Sequence, residues 1–73
     1  MLTENNLKHI ISRVIANADD AKADFDADRN NEFQDGRTLA YYEVLDTIKS
    51  ELSVAGEDLS EYGLDIDLDN RYS

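Results

Sequence analysis

The chain has 73 residues, seventeen acidic and seven basic side chains, and a net charge of -10. It contains no cysteine, which excludes disulfides, thiolate zinc sites and cysteine nucleophiles, and one histidine, His9, which argues against imidazole-built zinc or copper centres. So strong a negative charge disfavours direct contact with nucleic acid or anionic membranes and favours basic proteins or cations as partners.

A chain this short forms one small domain that buries only about 60% of its unfolded surface, so its core needs reinforcement. With disulfides and structural metal set aside, a second chain is the reinforcement left, and a homodimer is expected. No apolar run approaches the roughly 18 residues that span a bilayer. The N-terminus has no basic start followed by an apolar block, so a cytoplasmic location is expected. The acids are unevenly spread: residues 17–35 carry seven acids and two bases, and residues 57–73 carry six acids and one base.

The first predicted element is a helix over about residues 4–28. Thr3 is a suitable N-cap, and Glu4 places negative charge in the first turn. Leu7, Ile11, Val14, Ala18, Ala21 and Phe25 then follow alternating spacings of four and three, the seam of a helix lying along another. Glu4 and Lys8 form a favourable i,i+4 pair, and His9 falls on the far side as an exposed residue.

The segment DRNNEFQD, residues 28–35, carries the turn signals. Asn31 is the expected cap of a second helix over about residues 32–55, with Gln34 completing a capping box. Asp35-Gly36 is a rival start, but Phe33 joins the apolar face only if the helix has already begun. Phe33, Ala40, Tyr41, Val44, Leu45, Ile48, Leu52 and Ala55 fall on one face at about 100° per residue, with Gly36 at its edge. Small residues on both helices, Ala18 and Ala21 against Gly36 and Ala40, suit a close antiparallel approach. Gly56 is placed to end the helix in the left-handed conformation.

Beyond it, residues 57–62 suit a short helical turn closed by Gly63. Leu64, Ile66 and Leu68 then alternate with Asp65, Asp67 and Asp69, as in an extended acidic tail (residues 64–73) with one dry face. Leu39 and Tyr42 point away from the seam and need cover, either from this tail or from a partner. The expected fold is therefore all-α: an antiparallel two-helix hairpin with a short C-terminal helical turn and an acidic tail, dimerising into a four-helix bundle. The expected interface residues are Gly36, Leu39, Ala40 and Tyr42.

Few residues point to chemistry. Asp24, Asp26, Asp28, Glu32 and Asp35 place oxygen ligands between two helices at spacings similar to an EF-hand calcium loop. The match is partial, because the sixth position holds Arg29 instead of glycine and the last holds Asp35 instead of a bidentate Glu. Starting the loop at Asp26 puts Arg37 at the last position. A solvated acidic turn is therefore the favoured reading, and weak divalent-cation binding the lesser one. Three of these aspartates sit near a helix C-terminus, where the macrodipole disfavours anions by about 0.3–1 kcal/mol each.

No glycine-rich phosphate loop and no catalytic triad are present, so neither enzymatic activity nor a cofactor is expected. The functional expectation is a non-enzymatic interaction or accessory protein. The alternative is an acidic mimic of nucleic acid that inhibits a basic DNA-binding protein, an idea motivated by size and charge alone. The segments GRTLAYYEVLDTIK (residues 36–49) and GLDIDL (residues 63–68) resemble small uncharacterised acidic proteins of Gram-positive bacteria, their phages and mobile elements. That resemblance implies an accessory protein of a mobile or phage-derived locus and assigns no functional residue.

Overall fold

A computed structural model describes residues 2–73; its regular secondary structure is all helical, with no strand among the described residues. Helix α1 spans Glu4–Ala27 and helix α2 spans Glu32–Val54. A single 3₁₀ turn, Leu59–Tyr62, and a short helix α3, Leu68–Arg71, follow. The two long helices pack against each other as a hairpin, and the tail returns along α1 and α2.

The local signals for the helix ends act as expected. The Thr3 hydroxyl accepts from the Asn6 amide at 3.1 Å, and Asn31 Oδ1 accepts from the Phe33 and Gln34 amides at 3.0 and 3.2 Å. Each cap satisfies backbone donors that a helix start leaves unpaired. The return half of the capping box does not form, because Gln34 Oε1 accepts from Arg37 instead. Gly56, at φ 78°, ends α2: its amide bonds the Ser53 carbonyl while Glu57 reaches the Leu52 carbonyl. Gly63, at φ 71°, closes the 3₁₀ turn in the same way, with Leu64 N–H on the Leu59 carbonyl. Both positions need the left-handed conformation that glycine adopts without steric cost.

Helix α1 buries the expected stripe. Ile11, Ala18 and Ala21 are fully enclosed, with Leu7, Val14 and Phe25 half-buried beside them. Helix α2 corrects the expected one. It buries Thr38 and Leu45, with Tyr41, Tyr42, Ile48, Lys49 and Leu52 half-buried, whereas Phe33 is 72% exposed and Ala40 and Val44 face outward. Tyr41, Leu45, Ile48 and Leu52 keep the inward positions expected of them, so the buried face is turned by less than one residue's roughly 100° from the one the apolar residues mark.

The physical reason lies in three amphipathic residues that satisfy their polar ends while facing inward. The Thr38 hydroxyl lies 2.9 Å from the Gln34 carbonyl and 3.2 Å from the Ala21 carbonyl on α1. Lys49 lays its stem inward and donates to the Ile66 carbonyl at 2.6 Å, and Tyr42 hydrogen-bonds Asp69. The close approach of the helices is therefore Ala21 against Thr38. Gly36 takes no part: a Cβ added there would meet nothing within 4 Å.

The tail supplies half of the core. Tyr62, Leu64, Leu68 and Tyr72 are buried against Ile11, Ala18 and Leu45. Leu64, Ile66 and Leu68 alternate as an extended segment should, but the pattern then changes. Asp67 caps α3 by accepting from the Asn70 amide, and Tyr72 follows Leu68 at helical spacing. The extended tail expected over residues 64–73 therefore ends at Asp67.

Candidate interaction surface

The hairpin has two flanks, and the tail covers one. On α1 the tail-facing flank is Lys8, Ile15, Asp19 and Lys22. Lys8 lies 3.5 Å from Glu4 and 3.9 Å from Glu61 and sits over the Tyr62 ring, and Lys22 donates to the Ser73 carbonyl. Arg71 grips Asp19 with two parallel bonds, Nε to Oδ1 at 3.0 Å and Nη2 to Oδ2 at 2.8 Å, while the Tyr72 hydroxyl donates to Oδ1 at 2.7 Å. Hydrogen bonding to Arg71 holds the Asp19 carboxyl below its ordinary value, against the opposing effect of burial.

On α2 the covered flank is Tyr42, Asp46 and Lys49. The hydrogen bond to Asp69, helped by burial, pushes the Tyr42 phenol up to about 12. Burial, helped by Asp19, does the same for Tyr72, also to about 12. Between α2 and the tail runs a cleft of about 480 Å³ whose polar lining includes Tyr42, Asp46, Ser53, Asp67 and Asp69. It is an acidic groove at the rim of the tail.

The five acids read as possible calcium ligands separate into different tasks. Asp24 pairs with Arg37 across the helices at 2.8 Å. Asp26 is held by Lys22 at 2.6 Å and by Arg29, and hydrogen bonding from Lys22 is the main cause that lowers its pKa. Asp28 accepts weakly from the Asn31 side chain at 3.4 Å, and Glu32 and Asp35 stand exposed in the first turn of α2. Asp24 and Asp26 near the C-terminal end of α1 are thus balanced by bases from the chain itself, and Asp28 is not. Among the described residues no group of three or more acidic or histidine side chains is arranged to hold a metal ion.

The four expected interface residues fall on opposite flanks. Leu39 and Tyr42 join Asp69, Tyr72 and Ser73 around a small cleft on the tail side. Gly36 is exposed, and Ala40 borders a shallow apolar groove with Val44 and Ile48 on the uncovered side.

The balance of charge across the surface is lopsided. Five of the seven bases form ion pairs with five of the seventeen acids, and Lys49 is spent on a backbone carbonyl. Twelve carboxylates are left without a basic partner, and Arg13 is the one base without an acidic or hydrogen-bonded partner among the described residues. Helical spacing announces the pairs of Lys8, Lys22 and Arg29 in the sequence, whereas the partners of Arg37, Lys49 and Arg71 lie far along the chain. No family model, curated protein or solved structure matches the chain in comparisons with known proteins. No helix among the described residues is long and apolar enough to cross a membrane.

Proposed function

We propose that this chain is a homodimeric, non-enzymatic interaction protein that engages a basic protein partner through its acidic surface. The observation that carries this reading is the internal use of its bases. With six of seven tied up, the acidic excess is presented outward from α2 and the tail, where Glu32, Asp35, Asp46, Glu57, Asp65 and Asp67 are all exposed. An unbalanced field of one sign steers an oppositely charged partner and suppresses wrong ones.

Mimicry of nucleic acid is the special case in which that partner is a DNA-binding protein and the carboxylates occupy phosphate positions. A cytoplasmic accessory role on a mobile or phage-derived locus rests on the resemblance of residues 36–49 and 63–68 alone.

The test is capture of proteins from a bacterial lysate by the intact chain and by a variant with Asp46, Asp65 and Asp67 changed to Asn. The expected result is recovery of basic proteins that salt releases and that the variant fails to hold. Displacement by duplex DNA selects mimicry. Equal capture by the two chains contradicts the acidic-surface reading.

A further inference from the structure

The flank of the hairpin away from the tail is the part of the surface that the acidic reading leaves without a task. Measured from Ile11 on α1, Lys8, Ile15, Asp19 and Lys22 turn toward the tail, and at about 100° per residue Ile10 turns the other way. On α2 the same reckoning from Thr38 sends Tyr42, Asp46 and Lys49 to the tail and Val44 and Ile48 to the open side. Ile10 and Val44 are each about half exposed, at 47% and 49%, and Val44, Ala40 and Ile48 line a shallow groove of about 430 Å³.

This open flank differs from the rest of the molecule in charge. Of the twelve carboxylates without a basic partner, Glu43 lines the groove, Glu51 stands on the same side of α2, and Asp20 stands at the outer edge of α1. Arg13, the one free base, stands at the outer edge of α1. Asp24 and Arg37 neutralise each other. An apolar strip edged by three unpaired carboxylates and one unpaired base therefore runs along a body whose net charge is -10.

The register of the hairpin makes this strip self-complementary. Contact between Thr38 and the Ala21 carbonyl sets those two residues at one level. At equal rise on both helices, Ile10 is then level with Ile48, Val14 with Val44, and Arg13 lies between the levels of Glu43 and Glu51. A two-fold axis parallel to the helices keeps each level and exchanges α1 for α2. It sets Ile10 and Val14 of one copy on Ile48 and Val44 of the other. It also carries each Arg13 to the edge where the partner's α2 holds its two glutamates.

We infer that this flank is the homodimer interface, so that two hairpins join through Ile10, Val14, Val44 and Ile48 and keep both tails outside. The inference deepens the dimer half of the proposed function and is independent of any basic partner. The carboxylates of α2 on this face, Glu43 and Glu51, are the ones that the other copy's Arg13 meets.

Light scattering across a concentration series is the test, with the intact chain and three variants. The expected mass rises from 8.3 kDa to twice that value, and added salt strengthens association because the remaining net repulsion is screened. Val44→Asp, at an exposed position that does not disturb the fold, weakens association at least about tenfold, while Leu39→Asp on the tail side does not change it. Arg13→Glu weakens it about threefold, and Glu43→Arg added to Arg13→Glu restores it. A mass that stays at 8.3 kDa at every concentration overturns the dimer and the interface together. A dimer that survives Val44→Asp but not Leu39→Asp overturns the interface and leaves a dimer formed through the tail side.

Discussion

The two flanks of the hairpin are built from similar helical stripes, yet one is enclosed by the chain's own tail and the other is bare. On the covered side Leu64 and Leu68 are buried to 0% and 4% exposure, and three polar contacts reinforce the apolar ones: Arg71 on Asp19, Tyr42 on Asp69, Lys49 on the Ile66 carbonyl. On the bare side Val44 and Ile10 keep half their surface in water, and no segment of the described chain reaches them. The difference teaches where a 73-residue chain finds its stability. A lone hairpin leaves both flanks of its seam wet; the tail dries one of them within the monomer, and a second copy is proposed to dry the other.

The strongest way to break this comparison is to truncate one side chain on each flank. Leu64→Ala opens a cavity under the tail and should cost about 2–5 kcal/mol. That is comparable with the whole stability of a small domain, so the variant should be largely unfolded near room temperature. Val44→Ala at low protein concentration should cost no more than about 0.5 kcal/mol in the monomer. Denaturant titration of the two variants checks this, and equal losses would mean that the flanks are not distinct.

A smaller effect is expected at the clamp that anchors the tail's end. Asp19→Asn replaces a carboxylate that accepts two guanidinium bonds and a phenol bond, and should cost roughly 1–2 kcal/mol. The folded chain holds the Asp19 carboxyl below its unfolded value, so this contribution is present above about pH 4 and is lost as pH falls through the lower, folded value. Asp19→Asn should therefore flatten the acid limb of a melting-temperature profile. At the alkaline end the sign is reversed. Tyr42 and Tyr72 titrate near 12 in the folded chain against about 10 when unfolded, so stability should be full below pH 10 and fall between about pH 10 and 12. Tyr42→Phe should remove part of that alkaline loss.

The smallest change expected is a gain. Gly36 lies in a helix with negative φ and open space at its Cβ. Gly36→Ala should stabilise the chain by about 0.5–1 kcal/mol, as read from the denaturation midpoint. A loss there would put Gly36 back into a helix contact.

Much of the fold is legible in the sequence where the residues carry a single meaning. Thr3, Asn31, Gly56 and Gly63 mark their helix ends because each satisfies or permits one backbone geometry. The α1 seam is legible because its inward residues are plainly apolar and spaced by fours and threes. Helix α2 misleads because its inward face is made partly of Thr38, Tyr42 and Lys49, whose polar ends find partners that only the folded chain supplies. Meanwhile Phe33, Ala40 and Val44, apolar by type, face outward. In the tail, the alternation of Leu64, Ile66 and Leu68 announces a dry face. The further anchor Tyr72 is hidden in the shift to helical spacing after Asp67, a cap that could have signalled it.

The candidate site is less legible still. Asp24 and Asp26 look like metal ligands in a linear reading, but Arg37, Lys22 and Arg29 reach them in space. The four residues expected at one interface are split between the two flanks. Arg13 becomes distinctive only once the partners of every other base are known.

The most direct test of two unlike flanks is the accessibility of individual methyl groups to a soluble paramagnetic probe in nuclear magnetic resonance, followed over protein concentration. Leu64, Leu68 and Ile11 methyls should stay sharp at every concentration, whereas those of Ile10 and Val44 should broaden in dilute samples and recover as the chain associates. Broadening of Leu64 and Leu68 alongside Val44 in the dilute sample, or equal protection of all five, would contradict it.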